Sequence, residues 1–178
     1  MLITINSHCF KKNIRAVDVL RKNAEKYKVP FNLLFGIYIM ETTFRRGFFR
    51  LAENSATILG ILKNICFGSP VKNYTIGRCQ VGLTSILIFY GYDNYNPHSL
   101  YVQGFNFYML MLVFKSMFYK TNIEVFSKKV ALYYNHIVNL SPDNAIILTG
   151  EFYNGKFSYG LALERIVNDL NFINISNY

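Results

Sequence analysis

Apolar residues recur along this chain mostly at helical steps. Ile14, Val17, Leu20, Ala24 and Tyr27 lie three or four apart, which predicts an amphipathic first helix over about residues 13 to 27. "VPFNLLFGIYIMET" predicts a second helix beginning near Pro30, a residue tolerated in a first turn, and puts Glu41 near its C-terminal end. A third helical stretch fits residues 54 to 66, and "FGSPVKNYTIG" then reads as a loop or short hairpin. Helical patterns resume in "CQVGLTSILIFYG" and from Ser99 to Met117. Asn122 is a candidate cap for the next helix, whose stripe is Ile123, Phe126, Val130, Tyr133 and Ile137. In "LSPDNAIILTGEFYNG", Ser141 suits an N-cap, Pro142 a first position and Asp143 the helix dipole, with a break at Asn154-Gly155. "SYGLALERIVNDL" completes the series. The expectation is a mainly α fold of seven or eight helices with at most a short hairpin. At 178 residues it fits a single domain.

Composition narrows the class. With 52% hydrophobic and 16% charged residues the chain belongs with globular proteins rather than disordered ones. Lys and Arg outnumber Asp and Glu by 19 to 10, a formal charge of +9 that suits nucleic acid, acidic lipid or an anionic cell-wall polymer, or simply solubility. No clustered basic helix or aromatic-basic motif of a nucleic-acid reader accompanies the charge, so nucleic acid ranks low as a partner. Cys9, Cys66 and Cys79 show neither CxxC nor Cys/His ligand spacing; the expectation is mostly buried thiols, no metal and no cofactor. "MLITINSHCFKKNIR" lacks the features of a secretory signal, so export would need another route. "FYMLMLVF", residues 107 to 114, is too short to cross a bilayer, and no transmembrane segment is expected.

The candidate chemistry begins with one carboxylate. Glu41 ends the apolar run "FNLLFGIYIM", where a charge is expensive to bury unless it faces water at the helix end or is held as a neutral acid by an apolar wall. Phe35, Ile37, Tyr38 and Phe44 are the candidates for that wall. Three segments then fall in order: "METTF" around Glu41, "YTIGRCQVG" from Tyr74 to Gly82, and "EFYNGKFSYG" from Glu151 to Gly160. Each is common by chance; their order and helical context are less so.

The ordered set, spanning about residues 28 to 165, resembles the lysozyme-like lytic transglycosylases, with their Glu followed by Ser or Thr, Gly-x-x-Gln-hydrophobic turn, and Tyr-Asn motif with a later Tyr. The resemblance implies a lysozyme-like domain around a glycan-binding groove, peptidoglycan glycan strands as partner, and the bacterial cell envelope or exterior as location. It implies cleavage of the β-1,4 bond between N-acetylmuramic acid and N-acetylglucosamine, with Glu41 as acid and then base and a 1,6-anhydro sugar as product. It further implies substrate contacts from Thr42, Gln80, Tyr153, Asn154 and Tyr159. Thr42 stands where Ser is more usual, adding a methyl group and a stiffer χ1. Gly77 would permit the turn that presents Gln80, and Cys79 reads as a packed thiol rather than a nucleophile.

Gln80 follows Glu41 by 39 positions, long for the family, and the intervening Arg45, Arg46, Arg50, Lys63 and Lys72 suggest either a basic lip or a solvated face. A water-using, goose-type-like lysozyme is the nearest alternative, although Glu53, Asp93 and Glu151 fit no hydrolase pattern. A non-catalytic cell-wall-binding or assembly protein is the alternative of another class. The sequence leaves the biological role open between wall remodelling, passage for a secretion or conjugation apparatus, phage entry, and attack on another cell.

Overall fold

A computed structural model describes residues 7–43, 47–69, 71–92 and 103–172 of the chain. Among them are eight helices and one hairpin: α1 (Ser7–Tyr27), α2 (Phe31–Thr43), α3 (Gly47–Phe67), β1 (Thr75–Ile76), β2 (Val81–Gly82), α4 (Leu83–Phe89), α5 (Gln103–Met117), α6 (Tyr119–Leu140), α7 (Ala145–Asn154) and α8 (Phe157–Phe172). The mainly α class expected from periodicity is thus observed. No helix among the described residues is long and apolar enough to cross a membrane. The chain packs as two compact units, one comprising Met1–Thr43 and Ser127–Tyr178, the other Phe44–Phe126.

In the first unit, α1 is amphipathic as its pattern requires: Ala16, Val17, Leu20 and Ala24 are buried while Asp18, Lys22 and Glu25 are exposed. It closes with a Schellman motif, Val29 N–H donating to the Ala24 carbonyl (3.0 Å) and Lys28 N–H to that of Glu25 (3.3 Å), with Lys28 left-handed at φ 55°. Pro30 then launches α2 by accepting from Leu34 N–H at 3.1 Å. Helix α2 is apolar nearly all round and is buried from Leu33 to Thr42. Leu33, Leu34, Phe35 and Ile37 are fully buried, each contributing about 1.5–3 kcal/mol of transfer free energy.

Helices α2 and α8 run antiparallel. Asn32 donates to Asn171, a Cβ at Gly36 would lie 3.1 Å from Leu163, and Glu41 meets Tyr159. Helices α7 and α8 approach backbone to backbone: a Cβ on Gly150 would lie 2.8 Å from Gly160 Cα, and one on Gly160 would overlap the Ile147 carbonyl. Gly155, left-handed at φ 76°, makes the turn between them.

In the second unit, α3 packs on α5 and on β1, and α4 packs on α5 and β2. The hairpin pairs Thr75 with Gly82 and Ile76 with Val81 around the four-residue turn Gly77 to Gln80. Asn122, buried in the first turn of α6, fastens this turn. Its Oδ1 accepts from Cys79 N–H (2.8 Å), and its Nδ2 donates to the carbonyls of Ile76 and Ser116 (3.0 Å each).

Several boundaries differ from the periodicity reading. Helix α1 begins at Ser7 and α3 at Gly47, both earlier than expected, whereas Cys79–Gly82 form a turn and strand before α4. Asn122 is not a cap: its own N–H already donates to Phe118 (2.9 Å), and its side chain serves the hairpin. Ser141 belongs to the close of α6, its N–H donating to Ile137 at 2.7 Å, and Asn144 precedes α7 instead. Residues 99 to 102 of the expected fifth helix lie outside the described residues.

Candidate functional site

Glu41 sits in the last turn of α2 and is 7% exposed. Ile37 and Tyr38, one turn earlier, are fully buried, as is Phe35; Phe44 lies outside the described residues. The acid is therefore part of a buried helix rather than a solvated helix end. Tyr159, the second position beyond Phe157 in α8, donates its hydroxyl to Glu41 Oε1 at 2.9 Å, joining residues 118 positions apart.

The close pass of α7 over α8 explains how Tyr159 is held. Gly150 and Gly160 let the two backbones touch. Tyr153, one turn beyond Gly150, consequently stacks on Tyr159, which adjoins Gly160: the ring centroids are 6.2 Å apart and the planes 25° from parallel. The stack thus links Tyr153 to the side chain that holds the carboxyl.

A residue outside the sequence motifs completes the cluster. Lys129, on the part of α6 belonging to the same unit, sets its Nζ 4.3 Å from the centroid of Tyr153 and 5.9 Å from that of Tyr133. Burial lowers the pKa of Lys129, and the charge of Glu41 acts in the opposite direction. Nothing in "FSKKVALYY" distinguishes Lys129 from Lys128; only the arrival of α7 beside it does.

The remaining motif residues are differently disposed. Thr42 is buried and donates its hydroxyl back to its own helix, to the carbonyls of Tyr38 (2.8 Å) and Ile39 (3.3 Å). Asn154 is the last residue of α7, exposed, with no side-chain hydrogen bond among the described residues. Gln80 belongs to the other unit, where it is 4% exposed and left-handed at φ 53°. Its Nε2 donates to the Gly77 carbonyl (2.9 Å) and its Oε1 accepts from the Thr75 hydroxyl (2.8 Å), so the amide closes its own turn. Gly77 supplies the expected backbone freedom at φ 73° and also the space, since a Cβ there would overlap the Asn122 amide.

Cys79 is buried, as expected of a packed thiol, whereas Cys66 is exposed; neither is in a disulfide among the described residues. Of the intervening cations, Lys63 and Lys72 line, with Tyr74, a depression of about 370 Å³ in the second unit. Arg45 and Arg46 lie outside the described residues. No group of three His, Cys, Asp or Glu side chains able to hold a metal ion occurs among the described residues. Chemically, the cluster of Glu41, Tyr159, Tyr153 and Lys129 offers one proton-transfer group, one hydroxyl fixed on it, stacked aromatic surface of the kind sugar rings pack on, and one cation. No protein-family model, curated protein or solved structure matches the chain.

Proposed function

We propose that this chain is a lytic transglycosylase with a lysozyme-like fold, cleaving the β-1,4 bond between N-acetylmuramic acid and N-acetylglucosamine in peptidoglycan. The observation that carries the reading is the hydrogen bond from Tyr159 to Glu41, with Tyr153 stacked behind it. Two tyrosines singled out by motif order, one bonded to the acid and one stacked behind, meet at a buried Glu41.

On this reading protonated Glu41 gives its proton to the glycosidic oxygen, and the N-acetylglucosamine side departs as an alcohol. The positive charge left at the muramoyl C1 is shared by the 2-acetamido carbonyl of the substrate, which makes a second protein carboxylate unnecessary. The Glu41 carboxylate then takes the proton of the C6 hydroxyl as O6 bonds to C1. The carboxyl is restored and no water is consumed. Tyr159, donating to Oε1, fixes the carboxyl's orientation through both halves. Its substrate places the protein in the bacterial cell envelope or outside the cell.

A second reading, a wall-binding or assembly protein without turnover, is favoured by the inward-turned polar groups of Thr42 and Gln80. Digestion of purified peptidoglycan followed by mass spectrometry separates the two. The wild type should release 1,6-anhydromuropeptides and Glu41→Gln none. Reducing-end products would instead indicate the hydrolase. Absence of any release, or equal release by the variant, defeats the catalytic reading.

A further inference from the structure

A lysine beside another lysine on a helix ordinarily keeps its ammonium in water. Lys129 does not: it is part-buried, with Nζ over Tyr153 and near Tyr133. No carboxylate among the described residues lies within ion-pair distance of it, yet it feels the charge of Glu41. Cation–π contact offsets only part of the cost of leaving water, so stability alone gives a poor account of this position.

We infer that Lys129 is a positioning residue of the Glu41 site, anchoring the Tyr153 ring and stabilising the carboxylate that Glu41 becomes once its proton has gone to the substrate. The inference rests on the reaction proposed above. In that reaction the acid is neutral before the transfer and anionic after it, so a fixed cation is felt mainly by the second state. It lowers the barrier to bond cleavage. The ammonium itself neither gives nor takes a proton: the proton passes from Glu41 to the glycosidic oxygen and is replaced from the C6 hydroxyl.

Two substitutions test this. Lys129→Met keeps the unbranched stem but for its terminal nitrogen and removes the charge; Lys129→Arg keeps a cation able to lie on an aromatic ring. The Met variant should release anhydromuropeptides about tenfold more slowly, the order expected when an opposite charge is taken from a carboxylate, with its melting temperature unchanged or raised. The Arg variant should recover most of the lost rate. A fully active Met variant overturns the inference, and so does an Arg variant as slow as Met. Loss of activity together with a lowered melting temperature assigns Lys129 to the packing and overturns it too.

If the wild type releases no muropeptides, the proposed reaction falls, and the Glu41–Lys129 coupling is decided by a carbon-13 titration of the Glu41 carboxyl. The carboxyl should titrate at higher pH in Lys129→Met than in wild type. Coincident titration curves refute the coupling.

Discussion

Asn122 is 1% exposed, and three backbone groups depend on its side chain: Cys79 N–H on Oδ1, and the Ile76 and Ser116 carbonyls on Nδ2. Asn122→Ala removes all three bonds and puts no polar group in their place. A buried N–H without a partner costs about 1–3 kcal/mol, and each carbonyl losing its donor costs roughly a further 1 kcal/mol. The expected loss is therefore about 3–5 kcal/mol, a large share of a domain's usual stability. Asn122→Asp separates the contributions. It retains an acceptor for Cys79 but sets a second oxygen against two carbonyls, so it should be no better than Ala while ionised.

Urea unfolding gives the free-energy change, and hydrogen exchange at the Cys79 amide gives its local origin. That amide should lose protection in Asn122→Ala and keep it in the wild type. A loss under about 1 kcal/mol, with Cys79 still protected, refutes the accounting. The result bears on function as well as folding, because the same turn carries Gln80, whose amide bonds to Gly77 and Thr75 exist only while the hairpin is closed.

Two further outcomes follow from the first unit. Gly160→Ala sets a methyl group into the Ile147 carbonyl, a backbone atom that no rotamer change can move, and should cost roughly 2–3 kcal/mol by thermal or urea unfolding while slowing the proposed peptidoglycan cleavage through Tyr159; unchanged stability would mean that α7 and α8 do not pass so closely. Tyr159→Phe removes one hydroxyl and keeps the stack on Tyr153. Cleavage should slow roughly ten- to hundredfold with stability reduced by no more than about 1.5 kcal/mol, and full activity would exclude the hydroxyl from the reaction.

The parts of the fold legible in the sequence were those governed by local periodicity. Of the stripe Ile123, Phe126, Val130, Tyr133 and Ile137, all but the half-buried Tyr133 are buried as the spacing requires, and Glu41 lies in the last turn of α2 as the apolar run implied. Asn122 was misread because the same chemistry that makes Asn a good cap, a short amide reaching nearby backbone, makes it a good fastener for a distant hairpin. Local rules cannot choose between those uses. Lys129 was illegible for a related reason: its neighbours in sequence are another half-buried lysine and core residues, whereas its neighbours in space come from α7 and α2. The Gly150–Gly160 contact, which holds Tyr153 and Tyr159 in register, leaves only two ordinary-looking glycines in the sequence.

The opposing influences on Glu41 follow from this arrangement. Helix α2 is buried from Leu33 to Thr42 and leaves Glu41 only 7% exposed; burial beside Ile37 and Tyr38 favours the neutral acid. The Tyr159 hydroxyl and the Lys129 ammonium favour the carboxylate. A purely structural carboxyl would be cheaper with one influence alone, either exposed and charged or replaced by an apolar side chain. A group that must donate a proton and recover one in the same catalytic cycle needs both states within reach. The balance is costly to folding and useful to the proposed reaction, which is why Glu41→Gln should leave the fold standing, or even strengthen it, while abolishing release of anhydromuropeptides.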